Sequence, residues 1–551
     1  MRKIILVLIL CIPIYLLELQ AQKSSMIFSE KNPEIEGGAK VKLLKNGNTA
    51  LLQFSKDAGI NLTLFDASKK KVIEGKIALK LIEDKLAQYK ISGIFEINKD
   101  LMIMLTAYPK KTPTLYRILI DGSTGKLKNE EQLLQMPALG AGAGYSMEFG
   151  NVPIPIFYIE KDPVSDYYGI VLFNSFSKET NKRIEVSHYS PTHQQINRAF
   201  FTSPEDRFKY LCFTDIFVNG ESSIIMSAYV YNTKASGNGK EESIFYFSKL
   251  SKDASVFNNK VLPYTNSFMR ADCEFIYDKI TKNVDAAIKT YSGYDKKGNA
   301  SVFDFMIQPF NPNTMDLGKL LKFPLDKANA YYTTKVEPGK NYTGMLQNYL
   351  IDQSGNNIFL TEMPTIVVGE MGSATKLLDI AVTSMTNSGK ENYGIIIPYH
   401  HSIFGSSTSF NYMSNRKGQM TYSTFDDFHG ACIDLVTAKK YNYVFLNNTV
   451  TNFSKADNDR NYLFATPAYA TSGHGCVKAG ESGFTSVIYK IDNAGSAQKE
   501  LLFEKPTVED EAKYCLFQTA DFNPETGLYS VLVIEKVKGK KMSSVLWIPL
   551  E

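Results

Sequence analysis

The stretch GINLTLFD, residues 59–66, alternates apolar and polar side chains, ends in an aspartate and is followed by the polar run ASKKK before Val72. A period of two is typical of a β-strand, and an aspartate followed by small polar residues is typical of a tight turn. The same order returns in TLYRILIDGSTGKL, residues 114–127. The sequence therefore predicts a repeated unit of strand, turn and strand.

Six further segments have the same character, and most of them carry a polar turn after the strand-like run. They are YGIVLFNSFSKETNKRIEV (168–186), ESIFYFSKLSKDASVF (242–257), ASVFDFMIQPFNPNT (300–314), YGIIIPY (393–399), TSVIYKIDNAGSAQ (485–498) and SSVLWIPL (543–550). Between the copies lie two or three more strand-like runs, such as ISGIFEI (91–97) and LMIMLTA (101–107). About four strands per repeat is the period of a β-propeller blade.

We therefore predict an all-β fold, a β-propeller of about eight, or alternatively seven, four-stranded blades within one domain over residues 22–551. The last copy ends at the C-terminus after a third strand, so we expect SSMIFSEKNPEIE (24–36) to supply the missing outer strand and close the ring. The alternative is two packed β domains, which would also show short strands between regular turns.

The repeats resemble those of extracytoplasmic bacterial β-propellers in general, over most of the chain. The sequence has no Trp-Asp dipeptide, no recurring glycine pair of the kelch kind and no Ser-x-Asp-x-Gly-x-Thr-Trp box. The resemblance therefore indicates no subfamily and implies no catalytic residue.

The N-terminus has the pattern of a secretory signal peptide. Residues 1–3 are Met-Arg-Lys, residues 4–17 are almost entirely apolar, and residues 19–21 form a Leu-Gln-Ala cleavage signal. We expect residues 1–21 to be removed and the chain to be exported to the periplasm, the cell surface or the medium. The apolar run is shorter than the roughly 20 residues that span a bilayer, so we expect no membrane span after cleavage.

Composition favours a folded chain and disfavours some partners. Hydrophobic residues make up 44%, and 61 basic residues face 57 acidic ones, so no basic field is present to attract nucleic acid. The 32 Tyr and 34 Phe beside a single Trp suit half-buried strands. The five cysteines after the signal peptide are too few for a disulfide framework, and at most one or two bridges can form. We expect a monomer.

Spacing between the later copies predicts long insertions at about 400–431 and 448–483. Residues 401–431 are predicted to hold the outer strand of unit six and the connection into unit seven. If residues 432–437 and 441–447 are the first two strands of unit seven, residues 448–483 join its second and third strands. In a propeller both connections open on one face, so we predict that the rim of units six and seven holds a protein or glycan partner.

The candidate contact residues in this rim are aromatic, histidine and aspartate side chains. They are Tyr399, His400, His401, Phe410, Tyr412, Asp426, Asp427, Tyr462 and Tyr469. Aromatic rings interleaved with Asn and Ser can stack on sugars or hold a peptide. The alternative is that part of these rings fills the core beneath the long loops.

No cofactor is predicted, and zinc and calcium are the alternatives. The candidate zinc ligands are His429, Cys432, His474 and Cys476. Imidazole and thiolate suit zinc, but the spacing matches no standard finger, and Cys432 and Cys476 of an exported chain would more readily form a disulfide. The run DNDRN, residues 457–461, begins like a calcium loop, but Tyr462 stands where the turn glycine belongs.

The sequence favours a non-catalytic binding or scaffold propeller. The alternative is a hydrolase that acts on glycans or peptides in the same rim cleft, with Asp426 and Asp427 beside His429 as acid and base groups. Adjacent residues on a strand point to opposite faces, which disfavours a working pair of carboxylates at these two positions.

Overall fold

The computed structural model describes fourteen stretches of the chain: residues 25–33, 38–55, 59–82, 89–140, 142–143, 155–263, 268, 270–291, 303–369, 372–404, 433–454, 484–504, 512–537 and 540–551. These residues contain 33 strands that form seven hydrogen-bonded sheets, together with a few short helices. The all-β prediction is confirmed.

The strands group into four-stranded antiparallel units, which we call blades. Two short strands precede blade one: β1 (Ile27–Phe28) and β2 (Asn32–Pro33). Blade one is β3 (Gly38–Leu43), β4 (Thr49–Ser55), β5 (Gly59–Phe65) and β6 (Lys71–Lys76), and blade two is β7 (Tyr89–Ile97), β8 (Asp100–Ala107), β9 (Thr114–Asp121) and β10 (Leu127–Gln135). Blade three is β11 (Ile156–Lys161), β12 (Tyr168–Phe173), β13 (Ile184–Tyr189) and β14 (Gln195–Phe201). Blade four is β15 (Tyr210–Asn219), β16 (Ser223–Asn232), β17 (Glu242–Ser251) and β18 (Asn258–Val261). Blade five is β19 (Arg270–Tyr277), β20 (Val284–Tyr291), β21 (Phe303–Phe310) and β22 (Leu321–Lys322). Blade six is β23 (Met345–Ile351), β24 (Asn357–Gly369), β25 (Gly372–Met385) and β26 (Glu391–Phe404).

The seventh sheet has nine strands and contains two blades. Blade seven is β27 (Ile433–Thr437), β28 (Asn442–Thr449), β29 (Phe484–Ile491) and β30 (Ala497–Leu501), and blade eight begins with β31 (Ala512–Asn523), β32 (Leu528–Val537) and β33 (Lys540–Pro549). The two blades are linked by one parallel pair, Thr485 with Lys513. Counted by sheets there are seven units, and counted as four-stranded blades there are eight, so the predicted propeller of about eight or seven blades is confirmed.

The N-terminal segment completes blade eight. Strand β1 pairs with β33 through Ile27 and Trp547, and β2 pairs with the same strand through Asn32 and Ser543. Both pairings are antiparallel, so the two short strands act as one interrupted outer strand. The predicted closing role of residues 24–36 is therefore confirmed for residues 25–33.

The aspartate of the repeated motif builds the turn between the third and fourth strands of a blade. In blade one the Lys70 N–H donates to Asp66 Oδ1 at 3.0 Å, and in blade two the Thr124 N–H donates to Asp121 Oδ1 at 2.7 Å. A short carboxylate that accepts from backbone two to four residues ahead stabilises the turn locally. This is the physical reason that the motif could be recognised in the sequence.

Two of the eight aligned segments were assigned to the wrong strand. Residues 168–186 run from β12, the second strand of blade three, into β13, and residues 393–399 lie in β26, the fourth strand of blade six. The other six segments contain the third strand of their blade. An apolar run alone does not give its position within a blade, because any strand that is packed on both faces carries a continuous apolar run, as the outer strand β26 does.

Apolar side chains cover both faces of the blades. In TALLQFS, residues 49–55, Ala50, Leu52 and Phe54 pack against blade two, whereas Leu51 packs against blade eight. Eight hydrophobic clusters join blade one to two, two to three and so on, and the last joins blade eight to blade one. The blades therefore form a closed ring.

Polar contacts that involve the first strands support the closure on its inner side. Lys42 of blade one forms an ion pair with Asp521 of blade eight at 3.0 Å. The Tyr529 hydroxyl of blade eight donates to Asp434 Oδ2 of blade seven at 2.8 Å. Burial raises the pKa of Asp434 to about 6. These contacts tie blades one, seven and eight together.

The two ends of the strands differ. At one end, which we call the turn face, the first strand joins the second and the third joins the fourth through short turns, of which the longest is residues 311–320. At the other end, the loop face, the chain passes from blade to blade and from second to third strand. The longest connections are all on the loop face: residues 136–155, 323–344, 405–432 and 450–483.

Replacement of Trp547 by alanine is expected to weaken the ring where it closes. The Trp547 ring is fully buried, packs edge-on against Phe65 at 5.2 Å between centroids, and donates its indole N–H to Thr49 Oγ1 at 2.9 Å. We expect Trp547→Ala to lower the free energy of unfolding by about 3–5 kcal/mol and Thr49→Val to lower it by about 1 kcal/mol. Urea unfolding followed by circular dichroism measures both, and a loss below about 1 kcal/mol for Trp547→Ala would contradict the described seam.

Candidate functional site at blades six and seven

Most of the candidate residues lie outside the described part of the chain. They are Phe410, Tyr412, Asp426, Asp427, His429, Cys432, Tyr462, Tyr469, His474 and Cys476. The zinc set and the calcium-like run at residues 457–461 lie there as well. The roles assigned to these residues stay predictions.

Three candidates lie on β26. The Tyr399 ring is 1% exposed and packs in the cluster between blades six and seven, and its backbone N–H lies 3.4 Å from Asp379 Oδ1. His400 and His401 follow it, and their backbones pair with Leu378 and Leu377 of β25. Tyr399 is thus a core residue, which is the alternative that the sequence left open for the aromatic rings.

The register of blade seven places both long connections at one end. Ile433, the first residue of β27, pairs with Leu446 near the end of β28, and Thr449 pairs with Phe484 at the start of β29. Residues 405–432 therefore lead into blade seven at the same end where residues 450–483 leave β28 and return to β29. The predicted strands at 432–437 and 441–447 are confirmed as β27 and β28.

The expected position of the outer strand of unit six was wrong. Strand β26, residues 391–404, is that outer strand, and it shares only residues 401–404 with the predicted range. The physical reason is the long hairpin of β24 and β25, which supplies the second and third strands of blade six. The run YGIIIPY is thereby moved to the fourth position.

Blade six extends beyond its first strand on the loop face. The pairing of β23 with β24 ends at Met345 and Glu362, but β24 and β25 continue to pair as far as Gly369 and Gly372. Strand β26 follows β25 through the pair Ala374 and Phe404. Seven further residues of β24 at ~3.3 Å each make a three-stranded extension roughly 20 Å long.

A register shift between Glu362 and Met363 marks the base of the extension. Pro364 follows directly, and it pairs with Leu377 of β25. Proline has no N–H for a ladder and is tolerated on an edge strand or at a bulge. Beyond Glu362 the other side of β24 has no paired partner among the described strands, so Pro364 lies on such an edge.

A helical segment braces blade six. The segment consists of the helix α1 (Asp326–Tyr331) and the π-helical turn that follows it (Tyr332–Val336). Its buried side chains pack against Ala381 and Ile396. Gly394 allows the approach, because a Cβ there would lie 2.3 Å from the Ala328 backbone nitrogen. Blade five has a fourth strand of only two residues, so the helical segment covers sheet surface that a longer strand would otherwise cover.

The Tyr342 hydroxyl joins this brace to the base of the extension. It is buried, accepts from the Ala381 N–H at 2.9 Å and lies 3.0 Å from the Thr361 carbonyl oxygen and 3.1 Å from the Asp379 carbonyl oxygen. Burial raises the pKa of Tyr342 far above its ordinary value. The hydroxyl satisfies backbone groups beside the register shift.

Two carboxyl groups are enclosed at the base of the extension. Glu362 is 3% exposed and Asp379 is 0% exposed. Glu362 Oε1 is buried without a hydrogen-bond partner among the described residues, and burial raises the pKa of this carboxyl to about 8. A carboxyl without a cation or a donor nearby keeps its proton at neutral pH, because the charged form cannot be solvated.

Sequence reasoning missed Glu362 and the brace around it. The signal available was Pro364 inside the apolar run NIFLTEMPTIVVG, residues 357–369, since proline there indicates an edge or a bulge. The burial of Glu362 had no local signal. It depends on strands and a helix that are distant in the chain.

The described cysteines carry no chemistry of this site. Cys212, Cys273 and Cys515 are buried thiols, and burial raises the pKa of Cys212 to about 11 and of Cys515 to about 12. Such thiols are poor nucleophiles because the thiolate is the reactive form.

Among the residues that the structure describes, no group of three or more His, Cys, Asp and Glu is placed to hold a metal ion. Within the same residues, no helix has the length and apolar character of a membrane span.

Comparison with known proteins gives structural likenesses without sequence relatives. No protein-family model and no curated protein matches the chain. The polysaccharide lyase Uly1 is similar over 87% of this chain and 94% of its own, with 10% identity and a TM-score of 0.39. The BP39L lectin from Burkholderia pseudomallei is similar over 84% and 98%, with 9% identity and a TM-score of 0.37. A prolyl endopeptidase is similar over 90% and 54%, with 10% identity and a TM-score of 0.37. At these values the likenesses carry no argument about function.

Replacement of Glu362 by glutamine tests the enclosed carboxyl. The ordinary pKa of a glutamate carboxyl is 4.5, and burial raises the pKa of Glu362 to about 8. At a pH between these two values, the folded protein therefore holds a proton on Glu362 that the unfolded chain releases. Stability of the natural protein therefore falls as pH rises through this window, by at most about 1.4 kcal/mol per pH unit from this group. Glu362→Gln removes that dependence.

Denaturant unfolding at pH 5 to 9 measures the effect. The stability of Glu362→Gln relative to the natural protein is expected to rise steadily from about pH 5 to about pH 8. Glu525→Gln, at an exposed turn position, is the matched control and should follow the natural profile. Parallel profiles for all three proteins would show that Glu362 is not enclosed.

Replacement of Tyr342 by phenylalanine removes the hydroxyl that accepts from Ala381. The freed backbone group is buried, so we expect a loss of about 1–2 kcal/mol and faster exchange of the Ala381 amide hydrogen. Hydrogen exchange read by mass spectrometry over residues 378–385 checks this. Tyr331→Phe serves as the control, because Tyr331 lies on the same helical segment with 38% exposure. Unchanged exchange in Tyr342→Phe would show that the hydroxyl does not hold the base of the extension.

Proposed function

We propose that the protein is a non-catalytic binding or scaffold propeller that holds a protein or glycan partner on the loop face of blades six and seven. The observation that carries the proposal is the register of blade seven, which brings Ile433, Thr449 and Phe484, where the two long connections attach, to one end of the blade. The extension of blade six rises at the same end. Long connections concentrated on one face of a rigid scaffold are typical of binding surfaces.

The opposite face supplies the rigidity that such a surface needs. Turns of neighbouring blades are joined by hydrogen bonds from backbone or amide donors to carboxylates. The joined pairs are Lys45 with Glu96 at 2.8 Å, Gly220 with Asp162 at 3.0 Å and Asn387 with Asp278 at 3.0 Å. The loop face can therefore vary in length while the ring keeps its geometry.

Binding is favoured over catalysis by the environment of the two carboxyl groups described at the base of the extension. Glu362 and Asp379 are the carboxyls at the base of the extension, and both are enclosed in the sheet. A general acid or base must reach within hydrogen-bond distance of its substrate, either directly or through one water. Neither group offers that access in this arrangement.

We further propose that the chain works outside the cytoplasm. The support is the signal-peptide pattern of residues 1–21. Periplasm, cell surface and medium are equally compatible with that pattern.

Binding measurements with two shortened variants test the proposed surface. In the first variant a short Gly-Ser linker replaces residues 455–483, and in the control variant a similar linker replaces residues 144–154, which lead into blade three on the same face. The chain without residues 1–21 and both variants are probed on a glycan array and against cell-surface protein fractions, with contacts mapped by cross-linking and mass spectrometry. We expect the partner to cross-link to blades six and seven and to be lost only from the 455–483 variant.

Each other outcome counts against the proposal. A partner retained by the 455–483 variant would place the binding surface elsewhere on the ring. Turnover of a bound glycan or peptide into products would replace the binding function with a hydrolytic one.

A further inference from the structure

A groove lies at the seam between blade one and blade eight, on the side of the loop face. Its cavity volume is about 400 Å³, which is within the range of small-molecule sites, roughly 300–1,000 Å³. One wall is formed by side chains of β4 and β5, and the other by side chains of β33 and the N-terminal strands. We call this space the seam groove.

The blade-one wall is the polar half of an alternating strand. In β5 the side chains of Ile60 and Leu62 pack against blade two, whereas Asn61 and Thr63 line the seam groove. Gln53 of β4 lies beside them in the lining. Within the described residues, the side chains of Gln53, Asn61 and Thr63 make no hydrogen bond. Their polar groups are therefore available to a molecule in the groove.

Ring closure does not require this polar wall. The apolar cluster at the seam has eight buried residues, whereas the cluster between blades three and four has eighteen. Leucine-sized side chains in place of Gln53 and Asn61 would extend the seam cluster and strengthen closure. The amide groups at these positions bury less apolar area than leucine would, and without protein partners they are available to a ligand.

The lining favours an uncharged ligand. Glu74 is the one ionisable side chain among the described lining residues, and its carboxylate is paired with Lys71 at 2.7 Å. Amide and hydroxyl groups both donate and accept hydrogen bonds. They match the hydroxyl groups of a neutral sugar, and they leave the charge of a phosphate or a metal ion without a partner.

The walls also disfavour an added peptide strand. Strand β5 is paired with β4 and β6, and β33 is paired with β32 and with the N-terminal strands. Both walls therefore present sheet faces with their backbone groups already used. A peptide that binds by strand addition needs an open edge.

We propose that the seam groove binds a neutral oligosaccharide through Gln53, Asn61 and Thr63. The site is separate from the loop face of blades six and seven, and it does not rest on the function proposed there. Phe65 lines the groove and contacts Trp547, the single tryptophan of the chain, at 5.2 Å between ring centroids. Trp547 fluorescence is thus a local reporter of occupancy.

Calorimetric titration with parallel Trp547 fluorescence tests the site. The probes are cellotetraose, maltotetraose, xylotetraose and chitotetraose, with an uncharged serine–glycine octapeptide as the comparison. The double variant Gln53→Leu/Asn61→Leu removes the amide groups while keeping side-chain size, and Gln132→Leu, at an exposed position of β10, is the matched control. We expect at least one tetrasaccharide to bind and to change the fluorescence. The double variant should bind it about tenfold or more weakly, with thermal stability equal or higher, and the control should bind it normally.

Three results would overturn the proposal. Absence of binding for all four sugars at about 10 mM would mean that the groove holds water only, since a Kd above that value corresponds to less than about 3 kcal/mol. Equal binding by the double variant would place the sugar elsewhere. Binding of the octapeptide alone, with dependence on Gln53 and Asn61, would make the groove a peptide site.

Discussion

The structure depends on the need to cover both faces of every four-stranded sheet. The segment TALLQFS, residues 49–55, has apolar side chains on both faces, with Leu52 buried against blade two and Leu51 against blade eight. One neighbour can cover only one face, so each blade needs two neighbours, and a closed ring provides them without a terminal sheet. The final blade has three strands from the C-terminal segment and takes its outer strand from β1 and β2. Closure therefore joins the two ends of the chain.

Closure has different consequences on the two faces. On the turn face, short turns of adjacent blades bond to one another, as Gly220 bonds to Asp162, and this fixes the angle between blades. On the loop face the chain crosses between blades, and the lengths of these crossings are not limited by the turn geometry. The two longest of these connections, residues 405–432 and 450–483, belong to blades six and seven. A rigid ring with one variable face is a suitable base for a binding surface, because changes in its loops leave the core untouched.

Blade six departs most from a regular blade, and its departures are linked. The shift at Glu362, the edge position of Pro364 and the three-stranded extension all begin where the first strand stops. The helical segment that includes Ala328 covers the sheet at that level, and Tyr342 bonds to the backbone groups that the shift leaves open. The enclosed Glu362 carboxyl is retained in this packed region at a cost to stability that grows as pH rises from about 4.5 to about 8. A regular sheet would serve the core equally well. Irregular strands that are supported by neighbouring elements are therefore typical of functional regions.

The sequence by itself determined the strands, the turns and the closing strand, because each has a local cause. Alternation with period two marks a strand, and a carboxylate such as Asp66 or Asp121 bonds to the turn that follows it. The order of strands within blades three and six was not determined, because strands covered on both faces look alike in sequence. Only the tertiary structure decided that Tyr399 is a core residue, that Glu362 is enclosed, and that Asn61 and Thr63 line a groove. The physical reason is that burial depends on residues far apart in the chain, as the contact of Trp547 with Thr49 shows. A local sequence pattern does not indicate which distant residues will pack against it.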